Sequence, residues 1–429
     1  MKKITSWGKY PLIDASIISP ATSQHLLTLQ QNGIGRGLGR SYGDSALSEQ
    51  IIQSEKLNRF ISFDDKSGLL HCEAGVSLEE ILKTFVPRGW FLPVTPGTKF
   101  VTVGGAIASD VHGKNHHVEG SFSDHVTSLT LIIDDREISC SRDENSDLFY
   151  ATCGGMGLTG FITGAIFKLK PIKSAYINQK VVKAKNLDTA LNLFEQYKDF
   201  TYSVGWIDCL STGPNLGRSI LMLGEHAENG TLTTHKEPLL NMPCNMPSFL
   251  LNRYTIQAFN VAYYNKQLKD EINNIVHYDP FFYPLDGINN WNRMYGSNGF
   301  TQYQFVIPQK AGKEGLAEIL EAIAESKQGS FLAVLKVFGE GNQNLLSFPM
   351  EGYTLALDFK INDKLFSLLD RLDIIVRKYD GRLYLSKDVR MSENMFKSGY
   401  TRWVEFQAVR KEYGADELYH SLQSKRIGL

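Results

Sequence analysis

The chain has 429 residues, 42% hydrophobic and 21% charged, with a formal net charge of −1; this is an ordinary globular balance and enough length for about two or three domains. The near-neutral charge leaves no basic field, which argues against a nucleic-acid partner. The five cysteines (Cys72, Cys140, Cys153, Cys209, Cys244) are scattered without a CxxC pair or metal-ligand spacing, which points to a reducing compartment, no structural zinc and no iron–sulfur cluster.

The first residues carry two lysines but no apolar run of signal-peptide length. No stretch of about 18 uninterrupted apolar residues occurs. The expectation is a soluble, cytoplasmic protein. Thr22 to Gln31 reads as a short helix with Leu26, Leu27 and Leu29 on its apolar positions, stopped by Asn32-Gly33. A glycine-rich loop follows, GRGLGRSYGD over Gly35 to Asp44. Arg36 and Arg40 stand among its glycines, and Ser41, Tyr42 and Asp44 close it. Backbone N–H groups beside guanidinium and hydroxyl groups make a diphosphate cradle. No strand–GxGxxG–helix unit with a later acidic residue can be built here, so a nicotinamide Rossmann domain is disfavoured. Phe60 to Phe63 and Gly68 to Glu73 read as strands. Ser77 and Glu80 form a capping box for a helix over Leu78 to Val86, ended by Pro87 and Gly89.

A second glycine-rich stretch spans Pro93 to Val126 and holds His112, Lys114, His116 and His117. Its longest helix-forming run is Ala106 to Asp110. Val126 to Ile133 and Glu137 to Ser139 read as a hairpin around Asp134-Asp135. Ser146 to Ala151 reads as a short helix capped by Ser146. A third glycine segment, GGMGLTGFITG over Gly154 to Gly164, runs into a strand at Ala165 to Leu169. Pro171 marks a domain boundary. Three such loops in one half of a chain point to one large ligand held against bare backbone.

The second half changes character. Tyr202 to Asp208 is strand-like and carries Trp206. Asn229 to Ser248 reads as a long loop with an apolar flank at Leu239, Leu240, Phe249, Leu250 and Leu251, suited either to a greasy substrate or to a partly buried excursion of the core. Strands follow at Gln302 to Ile307, Phe331 to Phe338, Tyr353 to Lys360 and Arg382 to Ser386. The helices Lys313 to Ser326 and Lys364 to Tyr379 lie between them, with stripes at Leu316, Ile319, Leu320 and Ile323, and at Phe366, Leu369, Leu372, Ile375 and Val376. This is an antiparallel sheet with helices on one face. One strand parity is apolar (Tyr303, Phe305, Ile307; Leu335, Val337; Leu355, Leu357, Phe359). The other is mixed (Gln302, Gln304; Lys336, Phe338; Thr354, Ala356, Asp358) and suits solvent or a ligand.

With these residues in place, the chain resembles the flavoenzymes of the vanillyl-alcohol-oxidase/PCMH superfamily. Within it, the chain is similar to the oxidase subunits of decaprenylphosphoryl-β-D-ribose 2′-epimerases. The resemblance covers nearly the whole length. It rests on RGLGRSYGD, PGTKFVTVGGAIASDVHGKNHH, GSFSDHV and GGMGLTG in the first half, and on FYPLDGINNWNRMYG, QYQFVIP and LYLSKD in the second. It implies an α+β fold: a PCMH-type FAD-binding domain of two α+β subdomains (residues 1–173), a substrate domain (174–381) with an antiparallel sheet covered by helices on one face, and a C-terminal segment (382–429) completing the FAD-binding domain.

The resemblance also implies site residues. FAD would be held by Arg36, Gly37, Leu38, Gly39, Arg40, Ser41 and Tyr42 around its pyrophosphate. Gly97, Thr98, Thr102, Gly105, Ala106, Ser109, His112, Gly113 and Asn115 would follow along the flavin, with Gly157, Gly160, Ile162 and Lys387. Lys114, Trp206, Gln302, Gln304, Lys336, Phe338, Thr354 and Ala356 would bind substrate. Lys387, His112 and Tyr384 are the candidate bases for removing the hydroxyl proton. A structural ion pair of Lys387 with Asp388 or Asp358 is the alternative reading. His116, His117 and His125 read as hydrogen-bonded loop residues, and no metal site is expected.

The implied reaction is oxidation of the C2′ hydroxyl of a polyprenylphosphoryl-β-D-ribose to a ketone, the first half of a 2′-epimerisation in cell-envelope arabinan biosynthesis. A separate NAD(P)H-dependent short-chain reductase would complete it, and a peripheral contact with the inner membrane face would run through residues 229–260. Two departures are informative. Arg40 stands where related sugar oxidases often carry a histidine bonded to the flavin, so dissociable FAD is expected. Ala356 stands where mycobacterial members have the cysteine attacked by nitroaromatic inhibitors, so that inhibition should fail. The alternatives are an alditol or aldonolactone oxidase, whose usual HWGK-like string is replaced here by LYLSKD, a catalytically silent flavin-binding assembly protein, and a flavin-linked electron carrier.

Overall fold

The computed structural model describes residues 1–28, 32–238 and 240–429, with every side chain except that of Ser248. Leu29 to Gln31, the end of the first expected helix, and Leu239 of the expected apolar flank lie outside the described residues. What is described of that helix is Ser23–Leu27, capped by the Thr22 hydroxyl, which accepts from His25 N.

Among the described residues, a four-stranded and a five-stranded sheet organise residues 1–168, and the short strand Trp90–Phe91 pairs with Lys170–Pro171. The four-stranded sheet has the order Lys2–Thr5, Leu12–Ile18, Gln50–Gln53, Ile34–Arg36 and mixes parallel and antiparallel pairs. The five-stranded sheet is antiparallel in the order Phe60–Asp64, Leu69–Glu73, Phe161–Lys168, Val126–Ile133, Arg136–Ser141. The helix Leu78–Phe85 starts on the expected capping box: Glu80 N donates to Ser77 Oγ at 3.1 Å and Ser77 N donates to Glu80 Oε2 at 2.8 Å. Its buried stripe is Leu78, Ile81, Leu82 and Phe85, each worth roughly 1.5–3 kcal/mol of burial. Gly89, at φ 83°, turns the chain out of the short 3₁₀ turn that follows.

Some local readings are corrected. The helix expected from Ser146 is capped by Asn145, which holds φ 47° and makes no side-chain cap bond; Ser146 is its first residue. Asparagine tolerates the left-handed region that this entry angle needs. The run expected over Ala106 to Asp110 forms a helix over Val103–Ala108, because the Thr102 hydroxyl accepts from Gly105 N and fixes an earlier start. A second short helix, His116–Glu119, follows it.

The second sheet system is wider than the four strands read from the sequence. Among the described residues it is eight-stranded, in the order Glu271–His277, Tyr176–Ala184, Ser219–His226, Tyr202–Ile207, Ala333–Phe338, Gly352–Lys360, Phe300–Pro308, Arg382–Leu383. Tyr202–Ile207 joins Ala333–Phe338 through the Gly205–Leu335 and Trp206–Val334 pairs. Tyr176–Ala184 (YINQKVVKA) carries two lysines and a glutamine that blur its alternation. Glu271–His277 is an edge strand whose side chains are largely exposed. Helices Gly312–Ser326 and Leu365–Lys378 cover the apolar parity, burying Leu316, Ile319, Leu320 and Ile323 from one, and Leu365, Leu368, Leu369, Leu372, Ile375 and Val376 from the other. Phe366, expected in that stripe, is half-buried.

Helix Arg253–Lys266 has no counterpart in the sequence reading. It buries only Ile256 and Asn260 and so shows no apolar stripe. The loop 229–248 contains Leu240–Asn241, paired in parallel with Ile288–Asn289. Of its flank, Leu240 is 63% and Phe249 70% exposed, while Leu251 packs against the Trp291–Tyr295–Phe300 cluster; within the loop Leu232 packs on the main core and His235 is buried against Tyr278, so the loop is part docked and part outward-facing. The C-terminal residues return to the first half. Gly33 N donates to Leu418 O, Tyr419 Oη donates to Ile132 O, and Arg426 pairs with Asp44 at 2.7 Å and Asp388 at 2.9 Å. Among the described residues no helix is long and apolar enough to cross a membrane.

Candidate active site

A cavity of about 880 Å³ lies between the three glycine-rich segments and the mixed face of the eight-stranded sheet. Gln302, Gln304, Lys336, Ala356 and Asp358 line it from the sheet, with Trp206 beside them. The mixed parity therefore faces a site, and the open choice between solvent and ligand is decided by the cover that the glycine loops provide.

The first loop leaves the strand Ile34–Arg36 and presents Gly37 to Tyr42 to the cavity. Arg36 is turned back: its guanidinium donates to Thr5 O at 2.7 Å and Ala46 O at 3.3 Å. It fills the space where a side chain on Gly39 would go, and Gly39 has φ 63°. Arg40 lies 4.0 Å over the Trp7 ring and makes no ion pair among the described residues, so its donors remain for an anion. Gly97 is bare: a Cβ there would meet nothing within 4 Å. Thr98 Oγ1 and Lys99 N both donate to Asp286, at 2.8 Å and 2.9 Å. Lys99 Nζ, itself buried, pairs with Asp279 at 2.8 Å. The segment around Asp286 thus fixes the loop that presents Gly97.

Of the residues expected at the cofactor, all but two line the cavity. Ala106 is fully buried in the core, and Asn115 is tied by its amide to Pro93 O at 2.8 Å. Of those expected at substrate, Phe338 and Thr354 stand one layer behind. Phe338 packs on His112 at 4.7 Å and His116 at 4.6 Å. Thr354 is fully buried and accepts from Gln304 Nε2 at 3.2 Å. Lys114, Trp206, Gln302, Gln304, Lys336 and Ala356 line the wall.

The three base candidates meet here with different chemistry. His112 Nε2 accepts from Gln304 Nε2 at 2.9 Å, while its Nδ1 is buried without a partner. Burial, with Lys336, His116 and Lys387 nearby, holds its pKa well below the usual imidazole range. Tyr384 Oη donates to Ser109 O at 2.9 Å, and burial pushes its pKa up. Lys387 Nζ lies 3.8 Å over the Tyr42 ring. Burial lowers the Lys387 pKa, Asp358 opposes that shift, and Lys336 adds to it. Burial favours the neutral amine of Lys387, whose lone pair can take a proton, whereas Gln304 occupies His112 Nε2 and the Tyr384 hydroxyl is committed to Ser109 O. Asp388 is not its partner, since that carboxylate takes Arg426 and the backbone N–H groups of Arg390 and Met391. Asp358 is held by Gln302 Nε2 at 2.5 Å, and burial raises its pKa.

His117 and His125 reach backbone carbonyls, Phe200 O at 2.8 Å and Glu119 O at 3.0 Å. His116 packs on Phe338 with Nδ1 unpartnered. Among the described residues no group of three or more His, Cys, Asp or Glu could hold a metal. The sequence reading missed Trp7, Phe259, Tyr263, Asp286, Trp291 and Phe331 in the wall. Asp286 and Trp291 sit in the quoted FYPLDGINNW string, which carries no chemical pattern of its own. Phe259 and Tyr263 sit on the helix that lacks a stripe.

The donor set fits a dinucleotide flavin: bare glycine backbone, an unpaired arginine, and an orphaned His112 Nδ1 against a cavity at the upper end of ligand-pocket size. Comparison with known proteins agrees. Residues 29–140 match the family model described as an FAD binding domain. The chain is 36% identical to the decaprenylphosphoryl-β-D-ribose oxidase of Mycolicibacterium smegmatis, over 100% of this chain and 98% of that protein. Shorter matches are a putative D-arabinono-1,4-lactone oxidase of Neurospora crassa, 28% identical over 39% of this chain and 29% of its own length, and the human Delta(24)-sterol reductase, 30% identical over 30% and 25%.

Proposed function

The chain belongs to the decaprenylphosphoryl-β-D-ribose oxidase family and is an FAD-dependent oxidoreductase; from that premise we propose that it oxidises the C2′ hydroxyl of a polyprenylphosphoryl-β-D-ribose to the ketone. The observation that carries this reading is the opposition of bare glycine loops to a sheet face bearing Gln302, Gln304, Lys336 and Asp358, with Lys387 at their junction. The bound flavin supplies the hydride acceptor. The chain's own residues do the rest. Lys387 takes the hydroxyl proton, and Asp358 stabilises the ammonium so formed. Gln304 holds His112 neutral, so His112 orients rather than titrates. Tyr384, locked on Ser109 O, packs against His112 at 5.0 Å.

The fold divides, on this reading, into an FAD-binding part (1–173 with 382–429) and a substrate part (174–381). FAD is held without a covalent bond, because arginine at position 40 cannot form one; flavin that stays attached after denaturation would overturn this. A separate NAD(P)H-dependent reductase completes the 2′-epimerisation. A peripheral membrane contact through residues 229–260 is supported by the exposure of Phe249 (70%) and Tyr254 (78%).

The test is the anaerobic visible spectrum of the holoprotein before and after adding farnesylphosphoryl-β-D-ribose. Bleaching of the flavin bands is expected. Bleaching only with free alditols or aldonolactones would overturn the substrate assignment and leave the oxidoreductase.

A further inference from the structure

The cavity wall changes chemistry from strand to strand. Gln302 and Gln304 stand on Phe300–Pro308, and Ala356 and Asp358 on the next strand, paired as Gln302–Asp358 and Gln304–Ala356. Lys336 stands on the strand after that, opposite Thr354. The Gly205–Leu335 and Trp206–Val334 pairs put Val204 beside Lys336 on the following strand, and Val204 pairs with Met222 on the one beyond. Gln304, Ala356, Lys336, Val204, Trp206 and Met222 all line the cavity. Neighbouring strands lie about 4.8 Å apart, so a ligand lying across them meets hydrogen-bonding groups, then a cation, then an apolar track.

The cation is uncompensated. Among the described residues Lys336 makes no ion pair and no hydrogen bond, and burial with no carboxylate beside it sets the direction of its pKa. Lys114 reaches the same cavity; its ammonium donates to Phe281 O and lies 4.5 Å from the Phe281 ring centroid, leaving donors free. Burial lowers the Lys336 pKa to about 8 and, with Lys336, that of Lys114 to about 7. His112, His116 and Lys387 also feel Lys336 as a like charge. Asp358 faces Lys387. Two half-buried lysines that repel one another in a cavity are stabilised by an anion between them.

We propose that Lys336 and Lys114 form the subsite for the phosphodiester of the substrate, one strand outward from the sugar, with Val204, Trp206 and Met222 carrying the first isoprene units. This rests on the function proposed above and assigns the order sugar, phosphate, lipid to consecutive strands.

The experiment titrates the holoprotein with methyl geranyl phosphate, a singly charged diester lacking the sugar, and follows the flavin absorbance. Geranyl methyl ether is the neutral control and inorganic phosphate the free-anion control. Lys336→Met should weaken the diester by about tenfold or more and leave the ether within about twofold. Lys336→Arg should restore most of the affinity. Inorganic phosphate should compete in the wild type and not in Lys336→Met. Tight phosphate binding without a gain from the geranyl group would overturn the lipid track. Diester binding should fall as pH rises through about 7 and then about 8, as Lys114 and then Lys336 lose the ammonium protons that bind the anion. An unchanged diester affinity in Lys336→Met, or an equal loss for the ether, would overturn the subsite. Should Lys336→Met lose its flavin, Lys336→Gln and the pH titration of the wild type decide. Wild type that binds the diester through Lys336 but is not bleached by the phosphoribose keeps the subsite and loses the sugar assignment. Bleaching with an unchanged KM in Lys336→Met does the reverse.

Discussion

Replacing Asp110 by alanine should loosen the flavin end of the cavity from behind. Asp110 is fully buried at φ 39°. Its Oδ2 accepts from Asn342 Nδ2 at 2.8 Å, Asn344 Nδ2 at 2.9 Å and Ser347 Oγ at 2.5 Å, and its Oδ1 accepts from Ser123 N at 3.1 Å. One carboxylate therefore ties the 342–347 segment to the chain that presents Ser109 and His112. After its removal Asn344 keeps Ser123 Oγ at 2.8 Å, and the Ser347 hydroxyl can rotate. Asn342 and Ser123 N lose their close acceptor. At roughly 1–3 kcal/mol for each stripped buried donor, the loss is about 4 kcal/mol. Asp110→Gly removes the same bonds but tolerates the left-handed backbone, so its loss should be about 1 kcal/mol smaller. Urea unfolding with excess FAD measures both differences, and equilibrium dialysis measures flavin affinity, expected to fall by about tenfold. A loss under about 1 kcal/mol with unchanged flavin affinity in Asp110→Ala would refute the reasoning.

Gly105→Trp should abolish the yellow colour while the second sheet stays folded, because a Cβ at Gly105 meets only Thr102 Oγ1, at 3.1 Å, and the indole must enter the cavity; retained flavin in a folded variant would show that this loop does not face it. Lys387→Met should slow anaerobic flavin reduction by about 10²–10⁴-fold. The neutral amine is the base, so the wild-type rate should rise with pH through a value below the ordinary lysine range, and Lys387→Met should lack that limb. Asp358 raises the Lys387 pKa, so Asp358→Asn should move the limb to lower pH; a shift upward would overturn the pairing. Among the described residues no cysteine lines the cavity and four of the five are buried, so a thiol reagent on the native holoprotein should label Cys244 alone, by peptide mass mapping, without bleaching or releasing flavin.

The glycine loops, the Ser77–Glu80 capping box, the two striped helices and the parity of the strands from Gln302 to Lys360 were legible because each is a local pattern, repeated within a few residues. The family motifs carried the cofactor. Elements that bury little were not legible: Arg253–Lys266, which lends Phe259 and Tyr263 to the cavity, and the exposed edge strand Glu271–His277 bury too little to print a period. The side chains behind the wall were misplaced for a related reason. Phe338 and Lys336 share a strand parity, yet Lys336 borders the cavity while Phe338 is capped by His112 and His116. Parity assigns a face; what covers that face depends on loops that are distant in sequence. The choice among bases was likewise tertiary. Lys387, His112 and Tyr384 are equivalent candidates as residue types, and they separate only when Gln304 occupies His112 Nε2, Ser109 O occupies Tyr384 Oη, and burial beside Asp358 sets the charge on Lys387. The sequence by itself determined which groups the chain could bring to a flavin; the tertiary structure decided which of them stand desolvated and unpaired at the cavity, because desolvation and pairing depend on neighbours that no local pattern encodes.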